Sequence, residues 1–286
     1  MAVANSAGVA ARASDTRAEV NTVVAKGTGE GYAEAVSTAV GDVDTAAVGK
    51  RAAAKADAGQ NPREFEPGRY DVVLEPAAVA AWLDYLAYMT MSGKDFDEGT
   101  SPLCGKLGER ITGEAVTLRD DALDPRTLPM PIDFEGMPAR PIALIENGVF
   151  RAVATNTYRA HRLGRDESTG HALPATSNYE CFPMHLALEG GSRTERELIE
   201  STNCGLLVTQ LHYNNIVDRM HTVLTGMTRN GTFLIEDGKI VGPVKNLRYT
   251  ENMLEALPRT DGMTETPTLV RGRTLAPSVR VRKIPV

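Results

Sequence analysis

Residues Asp71–Glu109 read DVVLEPAAVAAWLDYLAYMTMSGKDFDEGTSPLCGKLGE, and the rest of the chain is organised around this stretch. Asp71–Leu74 (Tyr70–Leu74 with its leading aromatic residue) reads as a buried strand. It feeds directly into an Ala-rich segment, about Pro76–Met91, where Val79, Leu83 and Leu86 recur at helical spacing. Gly93, Gly99 and Pro102 then punctuate a loop leading to Lys106–Ile111. Inside that loop Asp95-Phe96-Asp97-Glu98 forms an acidic cluster. It reads as a solvated, mobile loop, with contact to a cation or a basic peptide as the alternative.

Upstream, residues 6–26 alternate between small or apolar and polar side chains, the period of half-buried strands. Ser14-Asp15-Thr16 is a candidate hairpin turn, and GTGEGY (27–32) reads as a Gly-rich loop. It lacks the Lys-Ser/Thr or strand-loop-helix setting of a phosphate cradle. Val40–Ala58 is Ala-rich with interspersed charges and reads as a helix, with Asp44 as candidate N-cap. A linker from Asn61-Pro62 to Pro67-Gly68 separates this part from the central stretch.

Downstream the pattern is mostly strands. Asn147-Gly148 sits between apolar runs in Ala143–Val153, and Asp237-Gly238 repeats the device in Phe233–Val241. Such pairs favour type I′ hairpins because both central residues need positive φ. LIENG and LIEDG suggest two equivalent hairpins in one sheet system. Thr194–Cys204 reads as an amphipathic helix with a Thr194/Glu197 capping box and Gly205 as C-cap. Asn252–Leu257 is a further short helix, and Ser278–Ile284 alternates Val with Arg as a closing strand. Arg271, Arg273, Arg280, Arg282 and Lys283 fit an edge strand with a charged outer face. The expected class is α+β: β-rich, with antiparallel hairpins and few helices.

The chain has 286 residues, a net charge of -6 and 42% hydrophobic residues, which fits a globular protein of one or two domains and gives no reason to expect nucleic acid as a partner. Three widely spaced cysteines argue against a disulfide framework and for a reducing compartment. No apolar run reaches the roughly 18 residues of a membrane span, and MAVANSAGVAARASD lacks a signal-peptide core. A cytoplasmic location is expected.

The strand-helix-loop layout of 71–109, GKLGERI, ALIENGVFRAV and TFLIEDGKIVGPVKN together resemble the TldD/PmbA family, the "modulator of DNA gyrase" group. The resemblance covers nearly all of the chain. It implies a middle region over 1–66 and a β-rich C-terminal domain over 67–286. Ser6-Ala7-Gly8-Val9 resembles the start of the middle region, so the family's N-terminal domain is expected to be absent. Catalytic TldD-type members carry HExxxH on the central helix, plus a later cysteine, to hold zinc. Laid along this chain without a gap, the motif falls on Asp84-Tyr85-Leu86-Ala87-Tyr88-Met89. Met is a poor zinc ligand beside hard donors, a phenol with an ordinary pKa near 10 is no carboxylate base, and no cysteine follows Cys204.

The resemblance is therefore to the TldE/PmbA type. It implies a non-catalytic subunit that lacks metal and cofactor and pairs with a TldD-type HExxxH chain or with itself. Together the two chains enclose a chamber for unfolded peptides. Candidate substrate or chamber residues are Asp84, Tyr85, Tyr88, His212, Tyr213 and His221, the last three in Gln210–His221, which the resemblance makes a loop. The alternatives are a stand-alone homodimeric binding or scaffold protein, and a repurposed enzyme using the old chamber for non-zinc chemistry. His171, Cys181 and His185 offer Cys-x3-His spacing with no paired motif, and read as ordinary loop and strand residues. No GxSxG elbow is present, and Cys104 reads as a small buried residue.

Overall fold

A computed structural model describes residues 1–286. The N-terminal part opens with a small hairpin, β1 (Ala2–Ala4) and β2 (Ala10–Arg12). A longer one follows, β3 (Ala18–Lys26) and β4 (Gly29–Ser37), covered by helix α1 (Thr45–Ala58). The Asp44 side chain caps α1 by accepting from Ala47 N at 2.8 Å, as its sequence position predicts. Two expectations fail here. Ser14–Thr16 is not a hairpin turn, and GTGEGY is mostly strand β4, with the turn confined to Gly27-Thr28. The glycines serve contact: a Cβ on Gly31 would overlap the Ala52 carbonyl oxygen and lie 2.6 Å from Ala56 N. They let α1 sit directly on β4.

Strand β5 (Arg69–Leu74) leads to α2 (Pro76–Thr90), as the sequence predicts. The acidic segment is helical, α3 (Gly93–Asp97). After β6 (Leu118–Asp120) comes the hairpin β7 (Ile142–Glu146) and β8 (Val149–Phe150), with Asn147 at φ 48° and Gly148 at φ 79°. Helix α4 (Thr157–Arg162), strand β9 (Leu186–Leu188) and α5 (Glu195–Glu200) follow. The Thr194/Glu197 capping box is present, but α5 stops at Ser201, and Gly205 lies inside the next strand. That strand, β10 (Cys204–Asp218), and β11 (Val223–Glu236) form one long hairpin. Gln210–His221 is thus the far end of this hairpin and not a loop.

Strand β12 (Lys239–Pro243) returns through Asp237 (φ 47°) and Gly238 (φ 74°). The chain closes with β13 (Arg248–Asn252), α6 (Met253–Ala256), β14 (Thr260–Met263), β15 (Thr268–Val270), β16 (Thr274–Ala276) and β17 (Val279–Pro285).

Two mixed sheets hold the core. The seven-stranded sheet runs β12-β11-β10-β5-β17-β14, with β13 beside β11, and the six-stranded sheet runs β15-β16-β9-β6-β7-β8. The LIENG and LIEDG hairpins therefore belong to different sheets. Helix α2 lies between the sheets, touching β10 and β5 on one side and β15 and β16 on the other. Ten of its fifteen residues are buried, which explains a helix apolar nearly all round. Val72 and Leu74 face α2, while Val73 faces Leu198 of α5, so both faces of β5 are covered.

Strand β17 is interior, between β5 and β14, and not an edge. Arg280 is only 2% exposed and is bound by Asp261 and Ser201. Arg282 pairs with Asp71 and Asp261. Arg280 is thus a compensated internal charge and Arg282 a paired, partly exposed one, which the valine-arginine alternation alone could not reveal.

Candidate functional site

Helix α2 presents three directions at Asp84, Tyr85 and Met89. Met89 is fully buried in the main core. Tyr85 points at the β10–β11 hairpin and donates its hydroxyl to the Asn214 carbonyl at 2.7 Å. Asp84 points the other way, to the β15–β16 turn, where Arg271 Nη1 and Thr274 Oγ1 each lie 3.4 Å from its carboxylate. Burial pushes the Asp84 carboxyl above its ordinary range, against the lowering effect of Arg271. One turn further along α2, the Tyr88 ring stands edge-on to Tyr179 at 5.3 Å and lies under the Arg219 guanidinium, also at 5.3 Å. Arg219 also donates to the Tyr88 carbonyl and pairs with Asp95 of α3.

The hairpin is shaped by its own irregularities. Pairing shifts register between His212 and Asn215, and Tyr213 adopts φ 50°. This bulge turns Asn214 inward, where its Oδ1 accepts from the Tyr249 hydroxyl at 2.7 Å. Opposite it, a Cβ on Gly226 would lie 2.7 Å from the Tyr249 ring, so glycine is needed there. Outward, His212 and Tyr213 pack edge to face, with centroids 4.4 Å apart, and both are exposed. His221 lies in the turn at the hairpin's end, its Nδ1 2.8 Å from Asp218 Oδ2, which holds that carboxyl below the usual range.

The structure thus brings Tyr85 and Tyr88 against the hairpin and places His212 beside Tyr213 on its outer side. Asp84 stands apart from these, and His221 is engaged only with Asp218 within its own turn.

The residues at 84, 85 and 89 do not fit a zinc ion. One carboxylate is held by a guanidinium, the phenol is committed to a backbone carbonyl, and the thioether is in the core. Nor do His171, Cys181 and His185 converge, and no group of three His, Cys, Asp or Glu residues is placed to hold a metal anywhere in the chain. His171 instead links Asp120 at 2.9 Å to the Thr169 carbonyl at 2.8 Å, in a site where both side chains are buried. Asp120 also accepts from His185 N at 2.7 Å.

The acidic segment is not a solvated loop. Arg159 of α4, 6% exposed, is bound by Asp97, Glu98 and Glu180. Hydrogen bonds from Arg162 and Arg159 pull the Asp97 carboxyl down. The sequence carried a usable signal, since an acidic triplet beside apolar residues requires counter-ions, but their source 61 and 62 residues away was not legible.

Helix α2 is thus sandwiched between two mixed sheets, with Asp84, Tyr85 and Met89 each engaged within the fold. Residues 67–286 match the profile of the PmbA/TldA metallopeptidase C-terminal domain, and the chain belongs to that family. It is 30% identical over 197 residues to a metalloprotease of Methanothermobacter thermautotrophicus, covering 68% of this chain and 43% of that one. It is 25% identical over 206 residues to a Metalloprotease TldD homolog of Buchnera aphidicola, covering 69% and 41%. Among solved structures it superposes on TldE from Thermococcus kodakarensis with a TM-score of 0.83 and 26% identity, covering 94% of this chain and 62% of that one. A protein from Thermotoga maritima, described as a candidate modulator of a DNA gyrase, gives a TM-score of 0.84 at 23% identity, covering 94% and 61%. The chain spans less than half the length of these two curated relatives. No helix is long and apolar enough to cross a membrane.

Proposed function

We propose that this chain acts as a non-catalytic, TldE/PmbA-type subunit of a TldD/TldE-type zinc protease. The observation that carries this reading is the commitment of Asp84, Tyr85 and Met89 to an ion pair, a backbone hydrogen bond and the core. Those roles stabilise the fold and leave none of the three free to coordinate zinc or activate water. An HExxxH chain of the same family, or a second copy of this one, would be the partner. Peptides in an enclosed chamber would be the substrate, and the cytoplasm the compartment. Residues 1–66 would form a middle region and 67–286 the C-terminal domain. His212 and Tyr213, exposed on the hairpin, would meet substrate or partner, whereas Tyr85 and Tyr88 would position that hairpin from beneath.

The test is metal content by mass spectrometry together with a peptidase assay, with and without an HExxxH partner chain. Near-zero zinc, with peptide cleavage only when the partner is added, is the expected result. About one zinc per chain, or cleavage by the chain alone, would overturn the reading.

A further inference from the structure

A polar cleft of about 710 Å³ opens between the α1/β4 layer and the body of the molecule, at the N-terminal end of α2. Its charged lining is Glu34, Arg51, Lys55, Glu75 and Glu195, three carboxyls against two cations. Thr264, Thr266 and Thr268 supply a hydroxyl-bearing wall.

The pairing inside the cleft is incomplete. Lys55 is taken by Glu75 and also donates to Thr209 Oγ1 at 3.2 Å. Glu195 receives only the Ser278 hydroxyl, at 2.6 Å. Glu34 Oε2 accepts the Arg271 main-chain N–H at 3.3 Å, while its Oε1 is buried without a partner. Arg51 donates to the Glu34 carbonyl at 3.0 Å and meets no carboxylate. Neither Glu34 nor Glu195 closes a salt bridge, and neither does Arg51. Burial pushes both of these carboxyls, Glu34 and Glu195, above their ordinary range, against the lowering effect of Tyr32 and Arg271 on the first and of Ser278 and Lys55 on the second. Arg51 and Lys55, one helical turn apart on α1, stand about 5–6 Å from each other at Cβ. The free guanidinium is thus within small-molecule reach of the Glu75/Glu195 end.

We infer that this cleft binds a small ligand carrying two ammonium groups and one carboxylate, the pattern of lysine or of a short lysyl peptide. Glu34 and Glu195 take the ammonium groups, Arg51 takes the carboxylate, and the threonine wall hydrogen-bonds the polar atoms between them. Such a ligand, with a net charge of +1, neutralises the excess carboxyl. The cleft has the volume of ordinary small-molecule sites, roughly 300–1,000 Å³. The inference is independent of the subunit reading, because it concerns the isolated chain and makes no use of 84, 85 or 89.

Calorimetric titration of the full chain with L-lysine, the dipeptide Lys-Ala, norleucine and cadaverine tests it. Norleucine lacks the side-chain amine and cadaverine lacks the carboxylate. Lysine or Lys-Ala should bind at least tenfold more tightly than both controls, and whichever of the two binds better identifies a free amino acid or a peptide as the ligand. Glu195→Gln and Arg51→Gln should each weaken that binding at least tenfold with unchanged melting temperatures. Glu34→Gln, read in the same way, replaces either variant that fails to fold. Absence of binding by both lysine and Lys-Ala, equal binding of the controls, or unaltered affinity in the folded variants would overturn the inference.

Discussion

The Tyr85 hydroxyl donates to the Asn214 main-chain carbonyl at 2.7 Å, tying the middle of α2 to the bulge in β10. At the position where catalytic relatives are expected to hold a glutamate base, this chain therefore has a structural peg. Tyr85→Phe should cost about 1–2 kcal/mol, because the carbonyl loses its donor in a half-buried site. Urea unfolding gives the magnitude. Faster hydrogen exchange around residues 211–216 should accompany it if the peg positions the hairpin.

Rebuilding the motif should fail. Met89 is fully buried, so Met89→His places an imidazole where it has no partner, costing about 2–4 kcal/mol. The triple variant Asp84→His, Tyr85→Glu, Met89→His should melt earlier and still bind less than stoichiometric zinc. Mass spectrometry of the dialysed protein checks this.

Arg159 gathers Asp97, Glu98 and Glu180 from two segments. Arg159→Met should lower stability by about 2–4 kcal/mol, since it strands acids that the arginine had neutralised. Removing Asp97 as well, as Asn, should recover part of the loss. A double-mutant cycle by denaturant titration measures that coupling.

The pH dependence has a defined sign. Burial holds the His185 imidazole below its ordinary value of 6.5. The unfolded chain therefore takes up a proton first as pH falls below about 6.5, and stability is lost from there down towards the lower folded value. Asp97 and Glu180 are held low by arginine hydrogen bonds, and they add a further loss at more acidic pH as those pairs are protonated. The half-buried Glu34 and Glu195 act oppositely, with their contribution fading as pH rises through their raised values. His185→Gln should flatten the melting-temperature profile between pH 6.5 and 5.5 while leaving the more acidic limb in place.

Gly31→Ala should separate α1 from β4, because the added methyl overlaps the Ala52 carbonyl. A cost of about 2 kcal/mol or more is expected for overpacking against backbone. Thermal melts check the cost, and earlier proteolysis in residues 1–60 locates it.

The sequence by itself determined the local elements. Strand β5 and helix α2, the two hairpins with Asn147-Gly148 and Asp237-Gly238, the Asp44 cap and the Thr194/Glu197 box all follow from short-range chemistry. What neighbours what was decided by the tertiary structure. Gly29 and Gly31 look like a loop until α1 is laid on them. The β17 arginines look solvent-facing until Asp261 and Asp71 arrive from other strands. The acidic α3 segment looks mobile until Arg159 closes on it. In each case the deciding partner lies far away in sequence, and a charge or a missing side chain takes its meaning from the group that meets it in space. The cleft of Glu34, Arg51 and Glu195 is the furthest instance: three residues distant in sequence line one volume only because folding places them around it.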